Sequence, residues 1–478
     1  MEALKKNTKL LDDGIHVRYV FKKDPKCLPD NRSTVVKIAA RQEQRLLKTG
    51  HLEFYNQEIQ KYIDRGAAVK LSKDEIDEWK GPRNYISHHG VERNSPTTPL
   101  RIVTNSSLNN GGNSLNSCLI GGPNSLNPML DIALRFRCYE CGMVFDLTKA
   151  YNSLKTGPVE KHLRRFIWRF SPDEEWQDFA FDCVAFGDFP AANFLEIGRD
   201  ITADAGKHID EESSKKIKRD TYVDDNISGG SFKSVKKMKG HKLGDGSFSG
   251  KMTEILKIGK LKLKTIISTG EQDEEAKALI GNKVLGYGWD ATSDMMKVDF
   301  PIYLSNKKKK CRMDPPITKE VLDLLPTLKI TKRICLGITN GFGDFLGLAS
   351  PFILRFKLLM KQLFDQGQKQ LKWDDPVHSE AIDAWLQLIA EAVETGCLFF
   401  PRSVRPEGAI GPPVYVGFGD GAFPAFCASS YLRWEIECQH TADQICDGDF
   451  DSNLLWAKAQ VTPLSGFTIP RSELSDVF

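Results

Sequence analysis

Eleven residues, Asp220-Thr-Tyr-Val-Asp-Asp-Asn-Ile-Ser-Gly-Gly230, constrain this chain more than any other stretch. A short aromatic and β-branched run, Thr221-Tyr-Val223, reads as a strand, and Ser228-Gly-Gly230 reads as a turn. The expected form is a hairpin with Asp224 and Asp225 near its tip. Alone, the doublet is most simply a solvated polar turn. A second apolar run, Gly142-Met-Val-Phe-Asp146, also ends in an aspartate, 224 − 146 = 78 residues upstream. Three such carboxylates form a natural cradle for hard divalent cations, which take oxygen ligands and offset the repulsion between the acids. Two ions about 3.5–4 Å apart can stabilise both the attacking and the leaving oxygen of an in-line displacement.

The bulk numbers narrow the class. At 478 residues the chain has room for roughly three domains of ~150 residues. Its 41% hydrophobic and 27% charged content is that of a globular protein. A net charge of +3, from 66 basic and 63 acidic residues, gives no global pull toward nucleic acid, so any such affinity must be local. The 11 scattered cysteines and the polar, lysine-rich start favour a reducing compartment, cytoplasmic or nuclear, over secretion. Ile334 to Leu354 is the most apolar stretch, but Asn340, Asp344 and its glycines make it buried core rather than a membrane span.

Along the chain, Gln42 to Ile76 has helical periodicity, Ser87 to Gly122 is loop-rich around a strand at Leu100–Thr104, and Pro128 to Arg137 is helical. After Asp146 the expected order is helix, a stop at Gly157, then a helix opened by Pro158. That second helix has one apolar face (Val159, Leu163, Phe166, Ile167, Phe170) and one basic face (Lys161, Arg164, Arg165, Arg169) turned to solvent. "FAFDCVAFGDFPAANFLEIG" reads as strand, turn, helix. Basic stretches follow at 234–243 and 259–268, and Lys307 to Arg312 is a cationic run fit for a nuclear-import signal, a phosphate contact or a solvated loop. Near the end, "DDPVHSEAIDAWLQLIAEAVE" is helical and "PVYVGFGDGAFPAFCASSYLRWEIE" alternates as antiparallel strands. Cys138-Tyr-Glu-Cys141 has the spacing of half a zinc site without a second half nearby, and His88-His89 is better explained by packing than by metal ligation.

"YVDD" resembles the catalytic hairpin of reverse transcriptases, and "FDLTKAY" resembles the palm strand that supplies their first aspartate. Longer phrases resemble one lineage, the polyproteins of Pao/BEL long-terminal-repeat retrotransposons. Among them are "YISHHGV", "PLRIVTNSSLNNGGNSLNSCLIGGPNSLNPMLDIALRFR", "VAFGDFPAANFLEI", "KVLGYGWD" and "WDDPVHSEAIDAWLQL", in order from about Leu46 to the C-terminus.

The resemblance implies an α+β chain: a right-hand polymerase of fingers, palm and thumb, a connection, and a partial RNase H-like α/β domain at the C-terminus. The expected boundaries are an N-terminal extension at 1–40, fingers and palm at 41–235, thumb at 236–300, connection at 301–375 and the RNase H-like segment at 376–478. It implies that Asp146 and Asp224 bind both catalytic ions, two Mg²⁺ or Mn²⁺, with Asp225 assisting. Tyr151 stands where these polymerases place an aromatic ring under the incoming sugar, excluding a 2′-hydroxyl. Arg101 falls where an arginine grips the triphosphate, a task suited to a permanently charged planar group. Phe186 and Gly187 match the segment supporting template base and nucleotide, and Leu285, Gly286 and Tyr287 match the hairpin holding the primer end. Asp420 and Glu473 resemble the first two carboxylates of an RNase H site whose further acids would come later, so that site is incomplete. The chain departs from the family's pattern at Asp188 and Asn193, which are more polar than usual, and in lacking a basic residue in "TTPLRIV" before Arg101.

The expected activity is RNA-directed DNA synthesis, transferring a nucleotide from a dNTP to a primer 3′-hydroxyl. Its partners would be an RNA template, a DNA primer, the RNA–DNA hybrid and dNTPs, with no membrane. One alternative is a degenerate retroelement fragment that only binds nucleic acid; a weaker one is a different two-metal nuclease.

Overall fold

The computed structural model describes residues 1–92, 100–231, 248–270, 283–304, 316–364, 371–437 and 449–464. The expected features at 234–243, 307–312 and Glu473 lie outside them. Helices and strands are mixed throughout, and the chain forms two compact units. One comprises Met1–Asn127, Phe145–Asn226 and Lys236–Ile266; the other comprises Pro128–Val144, Ile227–Val235 and Ile267–Phe478.

In the first unit, the periodic stretch from 42 to 76 is not one helix. Helix Arg32–Thr49 stops at Gly50, which takes the left-handed conformation that favours glycine (φ 71°). Helix Leu52–Asp64 follows, then strand Ala68–Lys70, then helix Lys73–Glu78, whose first turn is capped by Ser72 accepting from the Glu75 N–H. Strand Ala68–Lys70 pairs with Gln177–Phe181, which pairs in turn with Arg165–Trp168.

This last strand corrects the reading of a long amphipathic helix after Gly157. Helix Pro158–Leu163 is short, and Arg165–Trp168 is a strand buried along its whole length. Arg164 and Arg165 are fully buried rather than solvent-facing. Each guanidinium has internal acceptors, as burial of a cation requires. Arg164 donates to the Glu160 carbonyl at 3.1 Å, the Thr156 hydroxyl at 2.5 Å and the Cys183 carbonyl. Arg165 donates to Nδ1 of His162 at 2.8 Å and to the Tyr85 hydroxyl at 3.3 Å. Arg169 is clamped by both oxygens of Glu43 at 2.9 and 2.8 Å.

His88 is likewise internal. It sits on strand Ser87–Glu92, its Nδ1 2.5 Å from the Tyr55 hydroxyl and its Nε2 3.0 Å from the Ile167 carbonyl. Burial pushes its pKa down to about 4, so the ring is neutral and both nitrogens are engaged.

The sheet that matters for the site runs in the order Thr221–Tyr222, Asp225–Gly230, Cys141–Leu147, Leu263–Ser268. The hairpin at its edge turns at Val223-Asp224, with Tyr222 opposite Asp225 and Thr221 opposite Asn226. Ser228-Gly-Gly230, read as the turn, instead lies within a strand. Gly229 is needed there because a Cβ would fall 2.2 Å from the Cys141 carbonyl oxygen.

The second unit opens with helix Met129–Cys138 and contains an antiparallel sheet ordered Lys283–Val284, Tyr287–Asp290, Met295–Asp299, Cys397–Pro401. Helices Lys332–Thr339, Ser350–Gln362 and Ser379–Thr395 surround a core that includes Ile334, Phe356, Trp385 and Ile389. The apolar stretch around Ile334 is thus core, and among the described residues no helix is long and apolar enough to cross a membrane. Three long antiparallel strands follow, Ala409–Gly421, Ala425–Ile436 and Phe450–Val461. Cys138 and Cys141 are free thiols, and burial pushes Cys141 up to about 11.

Candidate active site

Strand Cys141–Leu147 ends against the hairpin tip, where the Leu147 N–H donates to the Asp224 carbonyl at 3.0 Å. This register brings three acids together. One carboxylate oxygen each from Asp146, Asp224 and Asp225 lies within 4.8 Å of the others. Asp146 and Asp224 are partly buried and Asp225 is exposed. Burial raises the Asp224 carboxyl above its usual range, opposed by its own backbone N–H and by the charge of Arg101. Three hard oxygen donors crowded and partly desolvated in this way fit a divalent cation, which relieves both the repulsion and the desolvation cost. Asp224 follows Val223, which is left-handed at φ 58°, an uncommon conformation for a β-branched residue.

The nucleotide-site residues expected from the sequence lie beside these acids. Tyr151 sits on the helical turn Ala150–Ser153, which replaces the longer helix expected after Asp146. Burial, and next the Asp224 charge, push its hydroxyl up to about 12. Its ring meets Phe186 edge to face at 5.9 Å and 67°. The Arg101 guanidinium, on strand Leu100–Asn105, lies 4.8 Å from the centre of the same Phe186 ring. Phe186 is therefore a platform with Arg101 and Tyr151 on its flanks. Gly187 takes φ 114°, and a Cβ there would come 2.8 Å from the Thr104 carbonyl oxygen, so only glycine fits.

Several supporting residues were not identified from sequence. Asn116 donates to the Gly187 carbonyl and accepts from the Phe189 N–H, both at 2.9 Å. Thr104 donates its hydroxyl to the Phe186 carbonyl. The polar departures also have partners. Asp188 accepts from the Tyr19 hydroxyl, from Ser106 at 2.5 Å, from the Ala185 N–H at 3.1 Å and from Arg164 at 3.4 Å. Asn193 donates to the carbonyls of Gly121 at 2.5 Å and Pro123 at 3.0 Å. Lys149 has its pKa lowered by burial, then by Arg65, with Arg101 a further cause. No local sequence signal marks Asn116 or Thr104 for these bonds, because residues 186, 187 and 189 are remote from both in the chain.

In the second unit, Leu285 (φ 50°) and Gly286 (φ 99°) form the two-residue tip of a hairpin in which Val284 faces Tyr287. Tyr287 is buried: its hydroxyl donates to Asp344 at 2.9 Å and accepts from the Leu346 N–H at 2.6 Å. Leu285 and Gly286 are half-buried, and Leu285 packs against the core of this unit. Asp420 is exposed on strand Ala409–Gly421, opposite Cys427.

Residues 331–477 match the family model of the Pao retrotransposon-like RNaseH-like domain. The Pao resemblance read from the sequence phrases thus has an independent counterpart in the Pao-like segment. That segment starts ahead of residue 376, holds Asp420, and includes the three long antiparallel strands. No curated protein matches the chain. Among solved structures it is similar to a foamy viral protease-reverse transcriptase in complex with an RNA/DNA hybrid (12% identity, TM-score 0.49, 96% of this chain and 48% of that one). It is also similar to a foamy viral protease-reverse transcriptase dRH in complex with double-stranded DNA (13% identity, TM-score 0.46, 87% of this chain and 57% of that one). The chain therefore spans about half the length of these two proteins.

Proposed function

We propose that this chain is the reverse transcriptase of a Pao-type retroelement, with an RNase H-like segment following the polymerase. The observation that carries the reading is the mutual approach of Asp146, Asp224 and Asp225, within 4.8 Å, beside Tyr151 and Arg101. In this reading 41–235 supplies fingers and palm, 236–300 the thumb and 301–375 the connection. Asp146 and Asp224 hold two divalent cations, Mg²⁺ or Mn²⁺, and Asp225 assists. When bound, the cations activate the primer 3′-hydroxyl and neutralise the phosphate charge that develops in the displacement. Arg101 binds the triphosphate of the dNTP, and Phe186 with Gly187 supports the base pair. Tyr151 fills the space a 2′-hydroxyl would occupy. Positioning and electrostatics carry the rate, since the side chains form no covalent intermediate. The template is RNA, the primer DNA, and the product an RNA–DNA hybrid, in the cytoplasm or nucleus. Asp420 would be one acid of the RNase H-like site.

The test is Mg²⁺-dependent extension of a DNA primer on an RNA template by the purified chain. Wild type is expected to incorporate dNTPs, and Asp224→Asn is expected to be inactive. Equal extension by the variant would remove the assignment. Salt-sensitive hybrid binding without incorporation would instead mark a nucleic-acid-binding remnant.

A further inference from the structure

Two cysteines that the active-site reading does not use lie in side-chain contact. Sγ of Cys27 and Sγ of Cys118 are 3.7 Å apart, across 91 residues of sequence. Both are free thiols, Cys27 exposed and Cys118 buried. The contact belongs to a fixed crossing of two backbone segments. The Lys22 N–H donates to the Cys118 carbonyl at 2.8 Å, and the Ile120 N–H donates to the Val20 carbonyl at 2.8 Å. Phe21 forms a bridge with Leu119 between those bonds. Cys27 ends the short helical turn Pro25–Cys27, which Asp24 holds by accepting from the Lys26 N–H at 2.9 Å and the Cys27 N–H at 3.0 Å. Neither segment can drift away without breaking these bonds.

We propose that Cys27 and Cys118 are a disulfide-forming pair, a covalent modification site that fastens the N-terminal strap to the turn carrying Asn116. The separation is short enough for rotation of the exposed Cys27 side chain to close it to the ~2.05 Å of an S–S bond. The oxidant is a peroxide. The Cys27 thiolate attacks one peroxide oxygen, the O–O bond breaks, and the leaving hydroxide takes up a proton to become water. The Cys118 thiolate then attacks the Cys27 sulfenic sulfur, forms the S–S bond and expels the second oxygen as water. Two thiols lose two protons and two electrons, and one hydrogen peroxide becomes two waters. The order follows from access. Cys118 is buried, and burial, next the bond with Cys27, raises its pKa, so Cys27 meets the oxidant first and Cys118 resolves it. The bond would form two residues from Asn116, the side chain that holds the Gly187 carbonyl at 2.9 Å. None of this depends on the polymerase reading.

The test treats the purified full chain with hydrogen peroxide, blocks remaining thiols, and maps linked peptides by mass spectrometry without reductant. A Cys27–Cys118 linked peptide is expected, together with a rise in melting temperature of a few degrees that dithiothreitol reverses. Cys118→Ser should lose the link and accumulate a sulfenic acid at Cys27 that dimedone traps several-fold more than in wild type. The proposal is overturned if wild-type Cys27 passes to sulfonic acid while Cys118 remains alkylatable. It is equally overturned if Cys118 links to a thiol other than Cys27. Because the linked peptide is read in wild type, the outcome stands even where a variant folds poorly.

Discussion

The Ser106 hydroxyl donates at 2.5 Å to the carboxylate of Asp188, a residue 82 positions later and wholly enclosed. Ser106 immediately follows the strand bearing Arg101, and Asp188 immediately follows Gly187. The bond therefore joins the two pieces of backbone that set the Arg101–Phe186 stack.

Replacing Asp188 by asparagine keeps its shape but leaves the buried Arg164 guanidinium without its counter-charge. Breaking one side of a buried pair typically costs about 3–5 kcal/mol. Asp188→Asn is expected to lose stability of that order in urea unfolding. In the surviving folded protein the KM for dNTP should rise more than kcat falls.

Asp224 gives a pH prediction with a definite sign. Burial raises its folded pKa, so the folded state holds this proton more readily than the unfolded chain. Its contribution to stability is fully present below the ordinary aspartate pKa and is lost as pH rises through the raised folded value. In chelator-treated protein, Asp224→Asn should match wild type in acid and become the more stable of the two toward neutral pH. Adding MgCl₂ or MnCl₂ should raise the wild-type melting temperature, less so as pH falls through that value, and should barely move the variant.

Tyr151 should control sugar selection. With its ring packed on Phe186 and its hydroxyl near Asp224, Tyr151→Val opens space without disturbing a buried charge. The ratio of ribonucleotide to deoxynucleotide incorporation in single-turnover assays is expected to rise roughly tenfold or more.

In the second unit, Arg402 is fully buried and pairs with both oxygens of Asp294 at 2.6 and 2.7 Å. It also donates to the carbonyls of Phe136, Tyr139 and Glu140 at 2.5, 2.8 and 2.8 Å, closing the end of helix Met129–Cys138. Arg402→Met leaves Asp294 without its cation, holding only the Trp289 N–H at 3.0 Å, and removes the shared donor to these carbonyls. A loss of about 3–5 kcal/mol is expected by chemical denaturation.

The acids were legible because each ends a short apolar run, a pattern carried by adjacent residues. The strand at Leu100, the buried core stretch after Ile334 and the strand–turn–helix around Phe186 were legible for the same reason, though the helices within that core stretch were not. Arg164 and Arg165 were not. Charge alternating with apolar residues reads as a wet helical face, and only partners such as Asp188, Tyr19 and Tyr85, far away in sequence, make burial tolerable. The hairpin turn was misplaced because Gly229 satisfies a crowded strand crossing rather than a bend. Asn116 gave no signal at all, since beyond its bond to Ser107 its side-chain contacts are with residues 187 and 189.

Val223 holds its left-handed backbone against its own side chain, an arrangement that costs about 1–3 kcal/mol. A glycine would sit there without that cost. Val223→Gly should therefore melt no lower than wild type, yet leave Asp224 and Asp225 with more freedom at the tip. Under the two-cation reading, the valine makes the hairpin a loaded spring: it surrenders stability so that the carboxylates are already aimed when a cation arrives.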